Sequence, residues 1–217
     1  MGGVGAVAME SETDFDRSKH VFRSPDFKRV VVEAVNFLCA SPVHFLPPTA
    51  PFEDAGVYAI YYKGNFSLYA KLAEMNDKEF KQPIYVGKAV PRGWRTSRNT
   101  KSSENSLYAR LREHARSISH ASNLIVEDFY CRFIILEREE TDLISTVEAD
   151  LIRRFRPLWN SFIDGFGNHD PGSGRYNQRV SEWDALHPGR PWVKKLKGEV
   201  PSISDIEKKI QNAISSL

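Results

Sequence analysis

Gly56-Val57-Tyr58 and Tyr85-Val86-Gly87 are near mirror images, and each lies in a run of strand-forming residues. GVYAIYY over 56–62 and PIYV over 83–86 are rich in β-branched and aromatic side chains, which predicts two strands, the second ended by Gly87. Antiparallel pairing would turn both phenols to one face of a sheet. A simple hairpin needs only a few residues between its strands, whereas residues 64–82 intervene here. Helix formers over 66–80, with Leu68, Leu72, Met75 and Phe80 as an apolar face, predict a helical insertion.

A third strand is predicted over 128–136 (DFYCRFIIL), whose near-continuous apolar finish suits an interior position. Helices flank these strands. Over 26–38, Phe27, Val30, Val31, Ala34, Val35 and Leu38 recur at three- and four-residue spacing. Pro42, Pro47, Pro48 and Pro51 then predict an extended linker. Asn105 or Ser106 caps a helix running to Ser119, striped by Leu107, Leu111, Ala115 and Ile118. A further helix over 140–155 turns Leu143, Ile144, Val147, Leu151 and Phe155 inward and stops at Pro157. Ser204 and Glu207 read as a capping box for a last helix carrying Ile206, Ile210 and Ile214.

The order predicts an α+β fold: a small central antiparallel or mixed three-stranded sheet flanked by helices, with a hairpin insertion and terminal extensions. Residues 1–24 are expected to be a flexible arm, residues 25–200 one domain and residues 201–217 a C-terminal helix. Within the domain the core is 56–160, the insertion about 64–82, and a Gly/Pro-rich, loop-dominated basic tail covers 166–198. The opening MGGVGAVAM lacks a basic n-region and reads as a cloning remnant ending at Met9 rather than a signal peptide.

Hydrophobic residues make up 41% and aromatics 12% of the 217 residues, enough for a packed core. No apolar run approaches the roughly 20 residues that span a bilayer, so no membrane partner is expected. Cys39 and Cys131, without zinc-ligand spacing, suit a reduced cytoplasmic protein in which both are buried. No phosphate-binding glycine loop, catalytic triad spacing or cofactor motif is present, so no small-molecule cofactor is expected. Net charge is only +2, but its distribution is uneven. Residues 86–120 hold eight Lys/Arg against two acidic residues, and 171–198 hold six against two. Concentrated positive charge suits a polyanion partner; two solvated faces are the plain alternative.

Arg110 and His114 are four residues apart and share one helix face. An arginine there can clamp a phosphate and a histidine can move a proton, although a surface pair has the same spacing. Glu148, flanked at i±4 by Ile144 and Ile152, needs a partner or a metal unless it sits at a rim. Asn160 either caps local backbone or hydrogen-bonds site groups.

The succession GVY, YVGKA, RLREH and EADLIRRFRPLWN over 56–160 resembles the GIY-YIG nuclease superfamily. Val57 and Val86 replace the family's isoleucines and keep the β-branched strand residue. The longer insertion and His114 look like its type II restriction endonucleases, and the chain is similar to those cutting the palindrome CCGCGG. The resemblance implies double-stranded DNA as partner, a homodimer, and one divalent metal, Mg2+, on Glu148. It implies that Arg110 holds the scissile phosphate and that Tyr58 is a candidate general base, with His114 or nearby positive charge accepting or stabilising its proton. Tyr85 would position water or phosphate, Lys88 would stabilise phenolate or bind phosphate, and Asn160 would orient its neighbours. Arg92, Arg95, Arg98, Lys101, Arg116, Arg175, Arg179, Arg190, Lys194 and Lys195 are candidate DNA contacts, with base readers not separable from phosphate binders. The competing expectations are a repair or mobile-element nuclease on the same core, and a non-catalytic DNA-binding protein, which would have no use for Glu148.

Overall fold

The computed structural model describes residues 15–90 and 106–217. Its centre is β2 (Gly56–Tyr62), buried along its whole length. It pairs antiparallel with β3 (Tyr85–Ala89) on one edge and with β4 (Phe129–Ile135) on the other. The sheet order is β1-β4-β2-β3, with β1 the short strand His44–Phe45.

Among the described residues the sheet therefore has four antiparallel strands rather than the three expected. β1 pairs His44 with Cys131 and Phe45 with Tyr130. Two residues inside a proline-rich linker carry no alternation, so this strand exists only because β4 offers a free edge.

Alternation along β2 divides the core in two. Val57, Ala59 and Tyr61 pack with Val35 and Leu38 of α1 (Pro25–Ala40) and with Ile144, Val147 and Leu151 of α4 (Ile144–Phe155). Tyr58, Ile60 and Tyr62 face Leu107, Leu111 and Ile118 of α3 (Ser106–His120) on the other side. That second face also receives Trp159 of α5 (Leu158–Ser161), Phe166, Trp183 of α6 (Glu182–Leu186), and Ile206 and Ile210 of α7 (Ile203–Ser215). Each such aliphatic or aromatic side chain contributes about 1.5–3 kcal/mol by leaving water, so both faces are held firmly.

Several helix bounds differ from expectation for physical reasons. Ser24 caps α1 by accepting from Phe27 N at 3.2 Å, and Pro25 occupies the first turn. Its apolar stripe is wider than the face it buries, leaving Phe27 and Val30 exposed. The insertion forms only a 3-10 turn and α2 (Ala70–Asn76). Leu72 enters the Tyr58 side of the core while Phe80 packs on the Tyr61 side, so the two do not share a face. Buried Asn76 closes the insertion: its amide donates to Tyr62 O and Gln82 O and accepts from Gln82 N. Residues 138–143 are a 3-10 helix before α4, which ends at Arg156 in the left-handed region (φ 43°), just before Pro157. α7 starts at Ile203, earlier than a Ser204 cap allows, and the expected capping box is absent.

The segment 166–198 contains only short helical turns, yet it is no surface tail. Phe166, Val180, Trp183 and Leu186 are buried in the core. Cys131 is buried, Cys39 half-buried, and both are free thiols. Among the described residues no helix is long and apolar enough to cross a membrane.

Candidate active site

The register Tyr58↔Gly87 and Ile60↔Tyr85 sets Tyr58 and Tyr85 diagonally on one sheet face, with ring centroids 6.3 Å apart. Gly87 is required there. A Cβ at that position would overlap the Tyr58 hydroxyl, so the phenol crosses the strand where only glycine leaves room.

α3 covers this face. Its Leu107–Leu111–Ile118 stripe anchors it, and that places His114 over both tyrosines, 5.5 Å from the Tyr58 ring and 5.0 Å from the Tyr85 ring. Tyr58 OH lies 2.6 Å from His114 Nε2. Burial pushes the Tyr58 phenol well above its usual pKa, Tyr85 adds to this, and Arg110 pulls the other way. Burial also drives His114 well below the usual histidine range, reinforced by the Arg110 charge. The stable pair is thus a protonated phenol and a neutral imidazole. Tyr58 donates to Nε2 in the tautomer that carries the His114 proton on Nδ1.

Arg110, one turn before His114, reaches the mouth of the site with a quarter of its side chain exposed. Burial lowers its pKa, but Tyr58, Glu113 and Tyr85 more than offset that, so the guanidinium stays charged. Its Nη1 donates to Glu113 Oε2 at 2.7 Å and also meets His169 Nε2.

Lys88 lies on the opposite sheet face, because it pairs with Val57. There its Nζ is 2.7 Å from Glu148 Oε2 of α4 and 3.2 Å from Ser145 Oγ. Burial raises the Tyr85 pKa, Arg110 lowers it and Glu148 raises it, so the carboxylate acts across the edge strand. The site therefore wraps around β3: phenols, imidazole and guanidinium on one side, the Lys88–Glu148 pair on the other.

Asn160 belongs to the frame. Its Oδ1 accepts from Val86 N at 2.7 Å and its Nδ2 donates to Val86 O at 2.8 Å, completing the outer edge of β3 between the two site residues Tyr85 and Lys88. The sequence left open whether it caps backbone or binds site groups; its contacts are with backbone.

Loop 165–169 forms a wall that the sequence did not indicate. Phe166 stacks on His114 with centroids 4.6 Å apart, and Gly167 passes so close to Tyr85 that a Cβ would meet its hydroxyl at 2.9 Å. His169 extends from it to Arg110. A single histidine inside the glycine-rich DGFGNHDPGSG was the available signal, and Glu113 offered none beyond its i+3 spacing from Arg110.

The basic residues divide. Arg116, Arg175, Arg179, Lys194 and Lys195 are exposed, Arg179 pairing with Asp164 at 2.8 Å and Lys195 with Asp170 at 3.5 Å. Arg92, Arg95, Arg98 and Lys101 lie outside the described residues. Arg190, expected at a DNA surface, is instead 2% exposed. It forks onto Asp184 through Nε and Nη2 at 2.6 Å each, and donates to the carbonyls of Gly165, Phe166 and Asn168. Its guanidinium lies between Trp183 and Trp192. A buried carboxylate requires such a partner, and Arg190 thereby holds loop 165–169 against the site.

A metal would find one carboxylate here. Glu148 is 19% exposed, and among the described residues no three His, Cys, Asp or Glu side chains gather. One hard oxygen donor fits a cation such as Mg2+ that keeps most of its shell for water and phosphate oxygens.

A family model described as the Eco29kI GIY-YIG domain matches residues 50–214, most of the 217-residue chain. A comparison with curated proteins finds no match. The matched span contains both tyrosine strands, α3, α4 and the Arg190-held loop, and the chain belongs to this family of GIY-YIG restriction endonucleases, as a nuclease acting on DNA.

Proposed function

We propose that the chain is a type II restriction endonuclease that hydrolyses double-stranded DNA at a specific, GC-rich palindrome similar to CCGCGG. In this reading it acts as a homodimer with one Mg2+ at each Glu148. The observation that carries the chemistry is the 2.6 Å contact of Tyr58 OH with a neutral His114 beside Arg110.

As water attacks phosphorus, its proton passes to the Tyr58 oxygen while the Tyr58 proton passes to His114 Nε2. The P–O3′ bond breaks and the 3′ oxygen takes a proton from solvent. His114 starts neutral with a lone pair available, but its lowered pKa makes it a weak base. It therefore takes the Tyr58 proton only in concert with Tyr58 gaining the proton of the attacking water, while Phe166 stacked on it excludes bulk water. Arg110 neutralises charge developing on the phosphate. Lys88 holds Glu148 toward the same edge of β3. A cation held by Glu148 would supply Lewis acidity for the leaving oxygen. Tyr85 and Asn160 fix the position of these groups.

A two-fold DNA site demands two copies, one active site per strand. Exposed Arg116, Arg175, Arg179, Lys194 and Lys195 supply phosphate contacts. Incubation with a mixed plasmid set, with and without Mg2+, should give discrete fragments only with the metal. Smears or structure-dependent nicks contradict site specificity, and salt-sensitive binding without cutting contradicts the enzyme. A sedimenting monomer on its cut site contradicts the dimer.

A further inference from the structure

We propose that Glu113 occupies the phosphate subsite of the DNA-free enzyme, and that Arg110, positioned by His169, binds the scissile phosphate once DNA displaces it. This rests on the reading of Arg110 as the phosphate clamp. Glu113 Oε2 lies 2.7 Å from Arg110 Nη1 and 4.0 Å from His169 Nε2. One anionic oxygen thus accepts from the guanidinium nitrogen that also donates to His169 Nε2. A phosphate oxygen carries the same charge and accepts from the same guanidinium.

The exchange is sterically simple. Glu113 is 43% exposed and His169 59%, so the carboxylate can leave without disturbing the core. The Asp170 carboxylate next to His169 is taken up by Gly172 N, Tyr176 OH and Lys195. The position of His169 is not left to a loose loop. All five N–H groups of Arg190 are used, three of its contacts being loop carbonyls on either side of Gly167. The gate is therefore the Glu113 side chain, and the subsite behind it is preformed.

The test is steady-state cleavage of the plasmid that the wild type is found to cut. Glu113→Gln should lower KM about two- to fivefold, the range of a partly exposed ion pair, without loss of kcat. Glu113→Ala should do the same. His169→Ala should raise KM, and combining it with Glu113→Gln should remove most of the gain. A fall in kcat with KM unmoved would mean that Glu113 merely orients Arg110, and would overturn the proposal; so would an unchanged KM. Arg110→Ala separates the two levels. Wild-type cleavage by Arg110→Ala refutes the phosphate clamp itself. An inactive Arg110→Ala beside an unaffected Glu113→Gln refutes only the placement of Glu113.

Discussion

Replacing Arg190 with alanine removes a guanidinium buried among two tryptophans and bonded to one carboxylate and three carbonyls. The largest cost is the abandoned partner. In the ion pair Asp184 is 1% exposed at its side chain, and breaking a buried pair from one side costs about 3–5 kcal/mol. For a chain of this size one kcal/mol moves Tm by about 2–4 °C, so thermal unfolding followed by circular dichroism should fall by about 6–20 °C. Arg190→Lys should recover only part of this, because a point charge cannot fork onto Asp184 and reach the loop carbonyls together. Below the new Tm, cleavage should also slow, since Phe166 is no longer pressed onto His114. The reasoning fails if Arg190→Ala melts within about 2 °C of wild type and instead binds DNA more weakly, which is the behaviour of a surface contact.

Gly87→Ala places a methyl in overlap with the Tyr58 hydroxyl; kcat should fall at least about tenfold with DNA binding retained, and normal turnover would show that the phenol need not stay on His114. Asn160→Ala removes both hydrogen bonds to Val86 and should destabilise by about 1–3 kcal/mol in urea unfolding; no change in midpoint would contradict its role in closing the edge of β3. His187 is held neutral by burial, its pKa pushed down to about 3, while the unfolded chain titrates near 6.5. The unfolded state therefore takes up the proton first, and stability is lost as pH falls from about 6.5 toward 3, by about 1 kcal/mol between pH 6.5 and 5.5. His187→Gln should flatten that dependence, and an unaltered slope would refute the assignment.

The fold was legible where periodicity is dictated by burial. The stripe Leu107, Leu111, Ala115 and Ile118 and the run GVYAIYY are buried throughout. β1 was not legible, because a two-residue strand has no period to read. Within the site, the tyrosines, Arg110, His114 and Glu148 stood out through their spacing. Loop 165–169 did not, since its position is fixed by Arg190 from a distant part of the chain. Charge also misled: a run of basic residues cannot distinguish Arg179, on the surface, from Arg190, which is 2% exposed. Only the proximity of a buried Asp184 separates them.

The central claim is that the Tyr58–His114 pair moves the proton during DNA cleavage. Single-turnover cleavage by Tyr58→Phe, with binding measured on the same DNA, tests it most directly. The phenylalanine keeps the ring packing and removes only the hydroxyl on His114 Nε2. The account predicts binding close to wild type and a rate reduced by about 100-fold or more. Cleavage within a few-fold of wild type would contradict it.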